Sequence, residues 1–184
     1  SELARKLGNQ FIMSFGDGYR VYLMSTSPDH KIIDESEQLS YQMVGRLRKT
    51  NQRHLLNVGL RALGQFPLWH GNYEEAQRYL NETKMMSLQD GSLTGVIDNT
   101  VLLAQIAFNQ EDYILVNTYL NEIETLAENL GLSPISLVDA TAVRARLYLA
   151  QGDGETCRKI LIDLLPRPRP NLIYAGFTVI RLFQ

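Results

Sequence analysis

Carboxylates are plentiful in this chain of 184 residues, cysteine and histidine scarce, and the spacing of these side chains organises little of it. A single cysteine, Cys157, excludes an internal disulfide and every multi-cysteine metal motif. The three histidines, His30, His54 and His70, lack metal-ligand spacing. His70 suits the end of a helix, where a cation is favoured. No Gly-Lys-Ser, Gly-Lys-Thr or G-x-G-x-x-G run marks a phosphate loop. Gly16-Asp17-Gly18 and Gly152-Asp153-Gly154 read as turns between helices. The acidic pairs Glu74-Glu75 and Glu111-Asp112 fall at expected helix starts, where the macrodipole accounts for them. Glu122 and Glu124 read as a solvated face. No local triad of serine, histidine and acid is recognisable. The expectation is a protein that is not an enzyme, with no cofactor and no metal.

What the residues do organise is a repeat. Asn72 falls on Asp112 and Asp153, at shifts of 40 and then 41 residues. Gly64 then meets Ala104 and Ala145, Gln65 meets Gln105 and Arg146, and Leu68 meets Phe108 and Leu149. Beyond the turn, Ala76 aligns with Val116 and Cys157, and Leu80 with Leu120 and Leu161. A fixed period of this size marks stacked supersecondary units. The small residues allow close helix approach, and the leucines one turn on fill the space between. Asn72, Asp112 and Asp153 stand where N-caps are needed, each worth about 1 kcal/mol.

Gly64, Pro67, Ala76 and Leu80, with Leu60 and Leu63 before them, resemble the tetratricopeptide (TPR) repeat. Three units, roughly 55–165, carry the likeness. Pro67 stands where the motif has an aromatic and Arg144 where it has leucine. The period exceeds the usual length of about 34, and in this it resembles the long-period arrays of STAND-type ATPases and LuxR-type regulators. The resemblance implies an all-α fold of antiparallel helix pairs, stacked as a TPR-like right-handed superhelix (an α-solenoid). Residues 1–184 form a single such domain: a divergent unit over 1–49, clear repeats over 50–91, 92–131 and 132–166, and a further helix beginning in 171–184.

Apolar spacing and breakers predict helices near 53–70, 73–89, 93–109, 112–130, 134–151 and 154–165. Before them, Ser1–Gly8 reads as the end of a helix, Gln10–Ser25 as a helix weakened by Gly16 and Gly18, and Ser27-Pro28-Asp29 as the cap of a helix reaching Lys49. Pro67 is expected to kink the last turn of its helix. Pro166, Pro168 and Pro170 stop the array. The apolar final segment would then lack cover, so the chain reads as a fragment of a longer protein or as one that pairs with another copy through its uncapped ends.

The composition is that of an ordinary globular chain, with 45% hydrophobic and 21% charged residues. A net charge of −2 and a pI near 5.9 give no reason to expect nucleic acid or an anionic membrane as a direct partner. The basic cluster Arg46, Arg48, Lys49 and Arg53 reads as a solvated helix end. No signal peptide and no spanning apolar run is present, so a cytoplasmic location is expected.

By the TPR resemblance, first helices line a concave side. Register places Arg61, Gln65 and Trp69 there from the first clear unit, Asp98, Gln105 and Asn109 from the second, and Asp139 and Arg146 from the third. The leading expectation is a non-catalytic module for protein–protein interaction, belonging to a signalling or transcription-regulatory protein. Its partner would be a protein or peptide segment, or other domains of its own chain. The alternative is an effector-sensing segment of a STAND-type regulator that binds a small ligand. The repeat carries its own test: Leu120→Ala is expected to cost about 2–5 kcal/mol in denaturant unfolding. A loss below about 0.5 kcal/mol, the range of surface changes, would remove the residue from the core.

Overall fold

The computed structural model describes residues 16–18, 20–21, 30–49, 52–132 and 137–164. Among these residues the fold is all-α, with helices α1 (His30–Leu47), α2 (Arg53–Trp69), α3 (Tyr73–Gln89), α4 (Leu93–Asn109), α5 (Tyr113–Asn129), α6 (Val138–Ala150) and α7 (Gly154–Leu164). Residues 16–18 and 20–21 are helical too. Among the described residues no helix is long and apolar enough to cross a membrane. The expectations for Ser1–Gly8, Ser27-Pro28-Asp29, Ser133-Pro134 and everything beyond Leu164 lie outside the described residues.

Helices α2 to α5 each span 17 residues, and one turn design joins them. After α2, the Asn72 N–H donates to the Pro67 carbonyl (2.8 Å) and the Gly71 N–H to that of Leu68 (3.3 Å). That pair of bonds is a Schellman motif, and it requires a left-handed residue at the turn. The same pair recurs after α3, α4, α5 and α6. The left-handed residue is Gly71, Gly91, Gly131 or Gly152, and once Glu111, with φ 59°.

The next residue serves both neighbours. Having closed one helix through its N–H, Asn72, Ser92, Asp112 or Asp153 opens the following helix with its side-chain oxygen. The Thr156 side chain and N–H hold the Asp153 carboxyl below its ordinary range. A depressed carboxylate adds stability above its unfolded pKa, and this is lost as pH falls through the folded value.

These turns explain the small departures from the expected helix limits. His70, Leu130 and Gln151, expected inside helices, are C-caps, and Asp112 is an N-cap. Pro67 lies buried within the last turn of α2, where its missing N–H leaves one helical bond unmade. The third clear repeat's first helix, expected from 134, is described from Leu137, with α6 proper beginning at Val138.

The chain divides into two compact units, Ser1–Asn99 and Thr100–Gln184. In the first, Leu60, Leu63 and Phe66 of α2 form a core with Ile33 and Val44 of α1 and Tyr79 of α3. Glycines set the spacing there. A Cβ on Gly64 would lie 2.7 Å from Leu80 Cγ and Cδ2, and one on Gly59 would lie 2.6 Å from Met43 Cε. Polar ties run beside these contacts. Asn57 Nδ2 donates to Ser87 Oγ (2.9 Å), and Thr83 Oγ1 donates to Asn99 Oδ1 (2.7 Å). In the second unit, Val101 to Ala107 are all buried, as are Val116, Leu120, Ile123, Ala127, Val143, Ala145 and Cys157. Leu120 is 1% exposed.

One substitution at two helical glycines separates close approach from helix propensity. Gly45 on α1 is exposed, with nothing within 4 Å of an added Cβ. Gly45→Ala should therefore raise unfolding stability by roughly 0.5–1 kcal/mol. Gly64→Ala should lower it by about 1–3 kcal/mol, as overpacking against Leu80 outweighs the same propensity gain. Equal signs in urea unfolding would mean that α2 and α3 are not held apart by so little.

Candidate functional site

The expected site residues fall into both units. In the first, the second half of α2 is closely packed: from Gly59 to Leu68 every residue is buried except Arg61 and Gln65, and Trp69 follows exposed. The three lie at i, i+4 and i+8, one stripe along the helix. The Trp69 ring meets Phe66 edge-on, with centroids 5.5 Å apart. Beside the stripe, Arg61 Nη1 pairs with Asp98 Oδ2 of α4 at 2.7 Å. Two residues expected to face a partner are therefore engaged with each other.

In the second unit the expectation fares unevenly. Asn109 is exposed at the end of α4, and Asp139 is half-buried in the first turn of α6. Gln105, expected on an accessible face, is only 8% exposed. It stands within a run of buried aliphatic residues, so the stripe that emerges at Asp98 is covered one and two turns later. Arg146 is half-buried, and its guanidinium carbon lies 4.3 Å from the centre of the Phe108 ring. Burial lowers the Arg146 pKa from its ordinary value. Phe108 was not among the expected site residues. Its alignment with Leu68 suggested only packing.

The basic cluster is put to structural use. Arg46 pairs with Asp17, Arg48 makes two 2.9 Å bonds to Glu82, and Arg53 binds Asp90 at 3.0 Å and Gln89 at 2.9 Å. Arg48 and Arg53 thereby tie the end of α1 and the start of α2 to α3. Partners 29 to 37 residues away leave no mark in local spacing, so sequence reading could offer only a solvated helix end. Arg144, at the motif's leucine position, is treated similarly: its Nη2 meets Glu124 of α5 at 2.7 Å.

Tyr41 of α1 is another perturbed group in the first unit. Partial burial, then the charges of Glu75, Tyr79 and Glu37, pushes its phenol up to about 12, with a bond to the Tyr79 hydroxyl adding to the shift. Among the described residues no group of three His, Cys, Asp or Glu side chains could hold a metal ion. No family model, no curated protein and no solved structure matches the chain.

The Arg61–Asp98 pair is partly exposed on both sides, at 37% and 50%. A double-mutant cycle with Arg61→Ala and Asp98→Ala should return a coupling of about 0.2–1 kcal/mol. A value above roughly 3 kcal/mol, typical of breaking a buried pair, would contradict that exposure.

Proposed function

We propose that the chain is a non-catalytic interaction module of the TPR-like kind, its helix pairs continuing as a right-handed superhelix, and that the α2 stripe anchors an extended segment of another protein. The observation that carries this reading is the burial pattern of α2. Over its second half, from Gly59 to Trp69, only Arg61, Gln65 and Trp69 escape burial, and they stand in line. Tryptophan and arginine are the residues most enriched among binding hot spots. The Trp69 ring is also held edge-on by Phe66, so little side-chain entropy remains to be lost on binding. Service within a larger signalling or transcription-regulatory protein is part of the same proposal.

The test is an array of extended peptides probed with the full chain. Trp69→Ala should weaken the bound set at least tenfold, with the helical circular dichroism unchanged. Met85→Ala, an exposed residue of α3 (55%), should leave binding as it was. Equal losses in both variants, or none in Trp69→Ala, would place the recognition surface elsewhere.

A further inference from the structure

Gln105 and Arg146 of the second unit have no hydrogen-bond acceptor among the described residues. Gln105 Nε2 is buried with no hydrogen-bond partner, a state that costs free energy if nothing fills it. Arg146 has its guanidinium over Phe108, and among the described residues no carboxylate or carbonyl accepts from it. That is unusual for this chain. Arg46, Arg48, Arg53, Arg61 and Arg144 each have an acid from another element; Arg144, two residues from Arg146 on α6, holds its acid as an ion pair without an aligned hydrogen bond from Nη2. Gln105 and Arg146 also occupy the same position of successive repeats. Phe108, beneath Arg146, is one helical turn from Gln105, where side chains are about 5–6 Å apart.

We infer that Gln105 and Arg146 form a carboxylate-binding subsite, with Phe108 as its floor. A carboxylate has two oxygens, enough to accept a paired bond from a guanidinium and a further one from an amide. The ring under Arg146 fixes the plane of the fork and supports the cation while no anion is bound. The Gln105 amide reaches the incoming oxygen by turning about its own side-chain bonds. A free small carboxylate and an Asp or Glu side chain on another protein present the same group. The subsite uses none of the α2 stripe and stands independently of the reading given to it.

The experiment follows the Gln105 side-chain amide and the Arg146 Nε–H by nitrogen-15 NMR on the full chain. Sodium glutarate is titrated against sodium chloride at matched ionic strength. The expected result is saturable movement of both signals with glutarate alone. Arg146→Met, read at Gln105, and Gln105→Leu, read at Arg146, should each weaken the affinity at least tenfold. Arg146→Lys keeps the charge without the fork and should not restore it. Gln105→Leu removes an unpaired donor and should fold as the parent does. A blocked Gly-Glu-Gly peptide forms the second arm. Tighter binding than glutarate supports a protein side chain as the source, and weaker binding supports a free carboxylate. Equal responses to chloride, or an unchanged titration in Arg146→Met, would overturn the subsite.

Discussion

How closely one helix can lie on the next is the constraint on which the first unit depends. Gly64 has no side chain, and Leu80 occupies the space that one would have taken. Gly59 does the same for Met43 and Val44, and Gly95 for Ser87. At that separation leucine and phenylalanine side chains interdigitate at the density of a protein interior. Backbone and short polar groups also come within reach of one another. The Asn57–Ser87 and Thr83–Asn99 bonds are possible only because of it. A buried polar group left without its partner costs free energy, so these bonds also resist sliding of α3 along α2 and α4.

Much of this was legible in the sequence. The 40-residue period located the helix pairs, and the small-residue positions located Gly64 against Ala76 and Leu80. Three of the four N-caps were visible as Asn72, Asp112 and Asp153. The finer period was not recognised. Left-handed residues recur every twenty positions from Gly71 to Gly131, because each helix of α2 to α5 has one length and each turn one geometry. Glycine marks that rhythm at Gly71, Gly91, Gly131 and Gly152, but Glu111 interrupts it. Ser92, the fourth cap, was overlooked because no aligned residue of the 40-residue frame points to it. Two 17-residue helices with their turns carry the chain from Arg53 to Leu93, which accounts for a period above about 34.

The site was less legible, for a physical reason. Register along one helix predicts which residues share a side, and on α2 that was enough. It cannot predict what another helix lays over that side. Gln105 shares a repeat position with Gln65 yet is buried where Gln65 is half-exposed. Arg61 and Asp98, 37 residues apart, find each other across two helices. The ring beneath Arg146 comes from a residue whose repeat position seemed to call only for an apolar filler.

The residue shared by consecutive helices has a consequence for how such a chain can change length. Asn72, Ser92, Asp112 and Asp153 each belong to two helices at once, so a turn cannot be edited on behalf of one alone. Adding a single residue within α3 would rotate everything after it by about 100°. Leu80 or Thr83 would then face away from its partner, although the turn itself stayed intact. Lengthening that keeps α3 in phase with its neighbours must therefore arrive as a complete rod with its turn, which favours growth by duplication over gradual extension.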